Sequence, residues 1–404
     1  MRLIILLCAW RAFVPAGAAA AESLTRRPVG PESPGLAWTA TTADVPLGFT
    51  GQIFGGREGG GFDRDAGAQA RQAIANLGKL LHTTGSDLAQ TVKLNFCVTE
   101  DAWHDPVVGA VSAAFAGHPV PVSFVRSRLG EPGALLAVDA VVQLPSRETA
   151  VRLVNVSGFP AVAGGAHLGV LPAGRKVFLS GLASRTKGGF REAVRQVLEG
   201  QAKTLRHFGL DPSKIVLVKG WIGPLDHMTE FKAELAAFFG SAPIAPVVLV
   251  EWPTANGVEI EFVFAGAKAD AARFSAPLAF ATRPGAEAST RFSHVAFVDA
   301  GQPLIFTAGL YGAAGSPVRQ QWQDIYAQLG RLLFDAGSGF RYLVKATYQN
   351  ANAEGRTVLG EIRDVYYDPA RPPAASGVLV HGAGWSGRSA TLDMIAVPVP
   401  RSSK

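Results

Sequence analysis

The feature that most constrains the fold of this chain is a helix–turn–strand pattern that occurs three times. In each copy, apolar residues three and four apart predict a helix, a glycine predicts its end, and an apolar run predicts the next strand. The first copy consists of Ala70, Ala73, Ile74, Leu77, Leu80, Leu81, the stop Gly85 and a strand at 92–98. The second, 124 residues later, consists of Val194, Val197, Leu198, Leu205, Gly209 and a strand from Val216. The third, 252 residues after the first, consists of Trp322, Ile325, Tyr326, Leu329, Leu332, Leu333, Gly337 and a strand from Val344. This constant spacing predicts one domain built three times.

Length and charge are consistent with three packed units. The 404 residues allow three units of about 115 residues, near the common domain size. Charged residues make up 17% of the chain, whereas an average soluble protein has about 25%, so less surface has to remain in water. The formal net charge is +6, but no run of Lys and Arg exceeds two residues. No nucleic-acid partner is therefore predicted.

The first 21 residues resemble a secretory signal peptide. Arg2 precedes an apolar run at 3–10, and the alanine-rich stretch 16–21 offers a cleavage site. The run is too short to span a bilayer, so no membrane association is expected after cleavage. Cleavage would release a mature protein, beginning near Glu22, to the periplasm or the outside of the cell. A disordered start or a misassigned initiation codon would instead leave the protein in the cytoplasm.

The repeats predict an α+β protein of three similar domains. Repeat 1 is predicted at 36–147, repeat 2 at 150–266 and repeat 3 at 289–399, with linkers at 22–35 and 267–288. In each repeat the order β-α-β-α-β, with strands of mixed length, indicates helices packed on one face of a sheet. The second helices are predicted at 105–116, 228–239 and 360–367.

Short motifs in all three repeats resemble one known family. Repeat 1 contains Thr50-Gly-Gln-Ile, repeat 2 contains Phe178-Leu-Ser-Gly, and repeat 3 contains Phe292-Ser-His and Gly301-Gln-Pro-Leu-Ile-Phe-Thr-Ala-Gly-Leu. These motifs resemble the Rid family of reactive intermediate deaminases, also called YjgF or RidA proteins. That family has a chorismate-mutase-like fold and forms homotrimers with sheets inside, helices outside and ligand clefts between subunits. The resemblance implies a monomer that is an intramolecular pseudo-trimer with three non-identical clefts.

By the same resemblance, deaminase activity depends on an arginine early in the penultimate strand, in a pattern like Pro-x-Arg-Ser. A guanidinium fork holds a substrate carboxylate through two parallel hydrogen bonds, which no neutral side chain reproduces. The corresponding residues here are Pro121, Ala245 and Ala375. Displaced candidates are Arg126, Arg128 and Arg371. Strand alternation places Arg126 on the opposite face from Pro121.

The second feature that the resemblance implies is a carboxylate in the last strand that positions a hydrolytic water. Glu259 matches it in repeat 2 and is the candidate catalytic residue, whereas Ala137 and Thr391 stand in its place elsewhere. Because the arginine is missing, a remnant without catalytic function is the alternative interpretation of Glu259. The next acidic residues are interpreted as hydrogen-bonding groups at an edge or interface; they are Asp139, Glu261 and Asp393.

The openings of the three repeats supply the candidate ligand-binding residues. They are Thr50, Gly51, Ser180, Gly181, Phe292 and Gly309. The glycines are expected to allow close backbone approach first and ligand contact second. No metal or cofactor is predicted, because the eight histidines show no metal-binding spacing. The glycine-rich stretch 55–61 also lacks the Gly-Lys-Ser/Thr of a phosphate loop.

Three functions remain open from the sequence, and so does the question of whether the protein is an enzyme. The favoured one is a Rid-like protein whose degenerate clefts bind small metabolites without arginine-dependent enamine or imine deaminase activity. Replacing Glu259 by alanine would then change little. The alternative is an active deaminase, a hydrolase with an altered substrate, that uses Glu259 or a displaced arginine. A ribonuclease function, ascribed to some relatives, is disfavoured because the sequence has no basic clusters.

Overall fold

The computed structural model describes residues 24–399 except residues 58, 185 and 267–276. The predicted signal peptide at 1–21 lies outside the described residues. The helices are α1 Ala66–His82, α2 His104–Ala114, α3 Phe190–Phe208, α4 Met228–Phe239, α5 Val318–Asp335 and α6 Ala353–Tyr366. The strands of the first half are β1 Leu24–Pro28, β2 Ala37–Thr42, β3 Leu47–Thr50, β4 Ile53–Phe54, β5 Thr91–Val98, β6 Val122–Arg126, β7 Leu136–Gln143, β8 Arg152–Val154, β9 Leu168–Leu171 and β10 Lys176–Leu179. Those of the second half are β11 Leu182–Ala183, β12 Ile215–Gly223, β13 Val247–Glu251, β14 Gly257–Ala265, β15 Leu278–Ala281, β16 Val295–Val298, β17 Leu304–Thr307, β18 Leu343–Asn350, β19 Ala374–Leu379 and β20 Ala390–Ala396.

Each repeat packs a pair of helices on one face of its own sheet, as the α+β prediction requires. The apolar stripes of α1, α3 and α5 are buried, and each is part of a helix–sheet core. The predicted stops Gly85, Gly209 and Gly337 have φ angles of 75°, 67° and 71°. Glycine adopts this left-handed conformation without the steric cost that a Cβ imposes, so it ends a helix readily. The helix–turn–strand prediction is confirmed in all three repeats.

The three sheets have the same internal order. The sheet of repeat 1 runs β6-β5-β7-β3-β9-β8, that of repeat 2 runs β13-β12-β14-β10-β16-β15, and that of repeat 3 runs β19-β18-β20-β17-β2-β1. In each sheet the first two strands are parallel, joined through a helix, and the other neighbours are antiparallel. The short strands β4 and β11 pair separately with β7 and β14.

The last two strands of every sheet form a hairpin that lies, in sequence, at or just before the start of a different repeat. The hairpin β8–β9 completes the sheet of repeat 1, although it lies within repeat 2 in sequence. Likewise β15–β16 completes the sheet of repeat 2, and β1–β2 at the start of the described chain completes that of repeat 3. Two predicted linkers are therefore wrong in part, because 22–35 contains β1 and 267–288 contains β15. Each is a short edge strand that pairs only with the next strand of its own hairpin, β1 with β2 and β15 with β16. A strand of four or five residues gives only a weak periodic signal in the sequence.

The sheet faces that point away from the helices meet in a shared core. Strands of all three sheets contribute to it, including the equivalent Phe49, Phe178 and Phe306. Polar groups also lie there: Glu261 of repeat 2 forms an ion pair with Lys345 of repeat 3 at 2.7 Å. Buried charges of this kind need partners. The pair supports the interpretation of Glu261 as an interface group.

The second helix of repeat 3 begins earlier than the sequence pattern predicts. Helix α4 is as predicted and α2 begins within one residue of its prediction, whereas α6 begins at Ala353 rather than at residue 360. The side chain of Asn352 caps α6 by accepting a hydrogen bond of 2.8 Å from the backbone N–H of Gly355. Over the described ranges, no helix is long and apolar enough to cross a bilayer.

Candidate functional site

Three clefts lie where the opening of one repeat meets the penultimate strand of the next. We call them cleft A, between repeats 1 and 2, cleft B, between repeats 2 and 3, and cleft C, between repeats 3 and 1. Their volumes are about 200 Å³ for cleft A, 330 Å³ for cleft B and 730 Å³ for cleft C. Cleft volumes of several hundred Å³ are typical of small-molecule sites.

Backbone hydrogen bonds define which opening residues are equivalent. The N–H groups of Gln52, Gly181 and Gly309 donate to Val247, Ala375 and Val122 of the neighbouring repeat, at 3.3, 3.1 and 2.9 Å. The residues before them, Gly51, Ser180 and Ala308, are equivalent in the same way. Gly51, and not the predicted ligand-binding residue Thr50, is therefore the equivalent of Ser180. Instead, the buried hydroxyl of Thr50 accepts a bond of 2.9 Å from Ala140 N within its own sheet, and Thr50 lines none of the three clefts.

Cleft A is partly filled by the side chain of Gln52, which takes the place of a glycine. Its Nε2 donates to the carbonyl of Leu249 at 2.9 Å, and its Oε1 accepts from the N–H of Leu249 at 3.2 Å. These two bonds bridge repeats 1 and 2 at the position where the other clefts have Gly181 and Gly309. Gly51 contacts the neighbouring repeat closely, since a Cβ there would lie 3.2 Å from Val247 O. Gly51 therefore serves backbone approach and is not among the residues that line the cleft.

The strand register also redefines the expected arginine position. Val122, Val247 and Ala375 pair with equivalent residues of β5, β12 and β18. Ala245 therefore does not correspond to Ala375, and the residue of repeat 2 there is Val247. The conclusion from the sequence is unchanged, because neither the three equivalent residues nor the ones before them are arginines.

The displaced arginines are held by other partners. Arg126 pairs with Asp101 at 3.1 Å and donates to the carbonyl of His381. Arg128 lines cleft A, but it pairs with Asp226 and Glu251 at 2.9 and 3.1 Å. Arg371 donates to the carbonyl of Leu278 at 3.0 Å. None of the three points a guanidinium without a partner into a cleft of the described chain.

Cleft B brings together three of the predicted site residues: Glu259, Gly181 and Phe292 line it. The carboxylate lies directly against the glycine, because a Cβ at Gly181 would be 1.9 Å from Glu259 Oε1. This contact explains why the opening of repeat 2 needs glycine. Ser180 lies beside the cleft, but its hydroxyl donates to Ser293 O and accepts from Ala375 N at 2.7 Å. The serine therefore joins the repeats and is not free for a ligand.

Burial sets the protonation of Glu259. The side chain is 5% exposed, and burial, followed by repulsion from Glu261, raises its pKa to about 7. Lys345, a hydrogen bond from Gly377 N–H and the guanidinium of Arg356 act in the opposite direction. A carboxyl group with this pKa exchanges a proton near neutral pH, which suits it to orient or deprotonate a water.

Three arginines of cleft B were not predicted from the sequence. Arg356 and Arg363 project from α6, seven residues apart and thus on one helix face, and Arg283 follows β15. The helix prediction began at residue 360 and so missed Arg356. The cap residue Asn352 is the sequence signal that could have found it.

Several buried polar atoms in cleft B have no hydrogen-bond partner within the described ranges. They are both amide atoms of Asn350, Nδ1 of His294 and Nε of Arg363. Burial and Arg283 lower the pKa of His294 to about 4, so the imidazole is neutral at physiological pH. Unpartnered buried polar groups are rare in proteins. Their convergence on one cleft indicates a site that a polar ligand completes.

Chemistry based on metals or thiols finds no support in the part of the chain that is described. No group of three or more His, Cys, Asp or Glu residues there could hold a metal ion. Cys97 is buried, and burial raises the pKa of its thiol to about 12. A thiol of this kind is not a nucleophile near neutral pH.

The comparisons with known proteins concern one repeat at a time. The chain is similar to solved structures of the YjgF, or Rid, family. A YjgF-family protein of Neisseria meningitidis is 21% identical, covers 30% of this chain and 96% of its own, and has a TM-score of 0.23. A Rid-family protein of Yersinia pestis is 25% identical over 30% and 98%, with a TM-score of 0.26. A family member of Mycobacterium tuberculosis is 26% identical over 30% and 100%, with a TM-score of 0.21. No family model and no curated protein matches the chain.

Proposed function

We propose that this chain is a Rid-like protein that binds small organic anions in cleft B and lacks the arginine-dependent deaminase activity of that family. One observation carries the proposal: Glu259 and the two arginines of α6, Arg356 and Arg363, line the same cleft of about 330 Å³. Guanidinium groups bind carboxylates with charge-assisted hydrogen bonds. The unpartnered amide of Asn350 supplies a further donor and acceptor.

The proposal includes the arrangement of the three repeats as an intramolecular pseudo-trimer that is a monomer in solution. Two observations support it: each sheet takes its last hairpin from another repeat, and all three sheets share one core. We expect sedimentation at the mass of one 42.3 kDa chain. A species of three chains would contradict this arrangement.

Ordinary deaminase activity is not expected, because the strand arginine is missing from every cleft. Charge-assisted hydrogen bonds contribute about 1.5–3 kcal/mol each, so their loss weakens productive binding by about tenfold to more than a hundredfold. Arg356 approaches from a helix on the opposite wall and cannot place the substrate in the same way. We therefore expect the chain to bind its ligand without deaminating it.

Titration calorimetry with succinate tests the anion site. We expect Arg356→Gln to weaken binding about three- to fivefold, since an exposed ion pair contributes up to about 1 kcal/mol. We expect a larger loss for the partly buried Arg363→Gln. Arg206→Gln, on an exposed face of α3, is the matched control for loss of one positive charge. Equal succinate affinity in all three variants would contradict the site.

Hydrolysis at Glu259 is the second candidate function, favoured by the raised pKa of that carboxyl group. Its test is hydrolysis of an amino-acid-derived imine by the purified chain, with a functional Rid protein as the reference. Our proposal predicts less than about a tenth of the reference turnover, following the loss estimated above. Turnover within tenfold of the reference that disappears in Glu259→Gln would establish the second candidate instead.

A further inference from the structure

Cleft C differs from the other two in size and in chemistry. It is the largest of the three, at about 730 Å³, and aromatic side chains line it, including Trp38, Phe124, Tyr311 and Trp385. Of the predicted ligand-binding residues it contains only Gly309. The position of Glu259 in cleft B is taken by Thr391 in repeat 3, so this cleft has no carboxylate there to orient a water.

The aromatic wall of cleft C is held rigidly. The rings of His104 and Trp385 stack in parallel, with centroids 4.1 Å apart, and Tyr311 meets Trp385 edge to face at 5.3 Å. The hydroxyl of Tyr311 accepts a bond of 3.0 Å from Phe124 N and donates one of 3.2 Å to Phe124 O. Because these contacts fix both Trp385 and Tyr311, an aromatic ring that enters the cleft meets a preformed aromatic surface.

The equivalent positions of the other clefts carry different side chains. The exchanged hairpin presents Trp38 at the opening of repeat 3, where repeats 1 and 2 receive His167 and His294. Phe124 is replaced by Leu249 in cleft A and Gly377 in cleft B, according to the strand register. At these two positions, cleft C therefore has a tryptophan and a phenylalanine that clefts A and B lack.

The charged groups of cleft C are two acids, Asp105 and Asp324, and two arginines, Arg331 and Arg388. Asp105 accepts from His104 at 2.7 Å, and Asp324 accepts from Gln320 at 2.8 Å. Arg388 lies over the ring of Trp385, with its Cζ 3.3 Å from the centroid. Its buried Nε has no hydrogen-bond partner in the described part of the chain. This donor can serve an anionic group of a ligand that lies against the aromatic wall.

We propose that cleft C is a second ligand site, separate from cleft B, that binds a planar aromatic ring carrying an anionic group and does not hydrolyse it. The ring lies against Trp38 and Tyr311, and its anionic group meets Arg388. One chain thus holds two clefts of different specificity: a polar cleft for small anions and an aromatic cleft for ring-bearing anions. The proposal does not depend on the function of cleft B.

Titration calorimetry of the full chain with indole-3-acetate tests this site. We expect saturable binding that is at least tenfold tighter than that of cyclohexylacetate, which has the carboxylate but no aromatic ring. Trp38→Ala is expected to weaken binding about tenfold or more. Arg388→Gln is expected to weaken binding of indole-3-acetate and to leave binding of indole unchanged. Arg206→Gln, on an exposed face of α3 outside the three clefts, is the control for loss of one positive charge and should not alter the affinity.

A second variant keeps the test decisive if Trp38→Ala fails to fold. Ala327 is an exposed residue of α5 that lines cleft C, so Ala327→Trp fills the cleft without disturbing a core. This variant should remove binding while the circular dichroism spectrum and melting temperature remain those of the wild type. Undiminished binding in Ala327→Trp, equal affinity for cyclohexylacetate, or loss of binding in Arg206→Gln would each overturn the proposal.

Discussion

Glu259 shows how one buried carboxyl group makes the protein sensitive to pH. Its neighbours include the second carboxylate Glu261 and the cation Lys345, and burial outweighs the attraction of the cation. The folded chain therefore retains the proton of Glu259 at pH values where the unfolded chain has released it. By proton linkage, the stability of the folded state then falls as the pH rises.

The first prediction concerns Glu259→Gln. Between the ordinary value of 4.5 and the raised pKa of about 7, the folded state binds more protons than the unfolded state, so wild-type stability decreases across this window. The glutamine variant lacks this decrease. Its unfolding free energy should exceed that of the wild type at pH 8 by on the order of 2–3 kcal/mol, and by little at pH 4.

Urea denaturation at the two pH values measures this difference. Glu199→Gln, on an exposed face of α3, is the control for the removal of one carboxylate. An unchanged difference between Glu259→Gln and wild type at the two pH values would contradict the assignment of a raised pKa to Glu259.

The second prediction concerns Gln52, the side chain that fills cleft A. Gln52→Ala leaves the buried N–H and carbonyl of Leu249 without their side-chain partner, and we expect a loss of about 1–3 kcal/mol in unfolding free energy. Gln320→Ala removes an exposed hydrogen bond to Asp324 and should cost much less. Equal losses for the two variants in urea denaturation would show that the bridge of Gln52 contributes little.

At the scale of elements, helix α6 connects stability to ligand binding. It carries Arg356 and Arg363 into cleft B, and its first turn is fixed by the cap of Asn352. A frayed first turn displaces Arg356 before it affects the core of the repeat. The helix cap is thus a residue through which anion binding can be changed without touching the cleft.

The third prediction compares two helix caps. Asn352→Ala should lower stability by about 1 kcal/mol and also weaken succinate binding. Asp65→Ala removes the equivalent cap of α1, where Asp65 accepts from Ala68 N at 2.6 Å, so it should lower stability by a similar amount and leave succinate binding unchanged. Titration calorimetry with succinate on both variants decides whether the first turn of α6 affects the binding affinity.

Long elements with a periodic signature were predictable from the sequence, and short edge strands were not. The stripes of α1, α3 and α5 and their glycine stops are local, and they were placed correctly. The strands β1 and β15 are edge strands of only five and four residues that pair with β2 and β16, and so short a run gives a weak signal. In the site, Glu259 and Gly181 lie in recognisable motifs, whereas Arg356 lies in the first part of α6, before the start that the sequence pattern predicts.

At the scale of the whole molecule, the hairpin β1–β2 links the start of the described chain to the sheet of repeat 3. Thr42 pairs with Leu304, and Thr39 pairs with Thr307. Without the hairpin, β17 would present an unpaired strand edge, which promotes association between chains. The hairpin also supplies Trp38 to cleft C.

The fourth prediction is that a chain beginning at residue 44 associates or aggregates, whereas a chain beginning at Glu22 remains a monomer. The shorter chain lacks both strands of the hairpin and exposes the edge of β17. Analytical ultracentrifugation of the two chains at equal concentration measures the difference. A monomeric, cooperatively folding short chain would show that closure by the hairpin is dispensable.

The exchange of hairpins also dictates an order of events during synthesis on the ribosome. The hairpin β1–β2 emerges before the rest of the described chain, but its partner β17 lies roughly 260 residues downstream. At about 5–20 residues per second, the hairpin waits on the order of 10–50 s before its partner strand exists. The hairpins of repeats 1 and 2 are synthesised soon after the other strands of their sheets. The hairpin of repeat 3, by contrast, is synthesised long before the rest of its sheet. In the nascent chain, β1 and β2 therefore remain without their partner strand for longer than the other hairpins do. A chaperone that shields these two strands would protect the later pairing of β2 with β17.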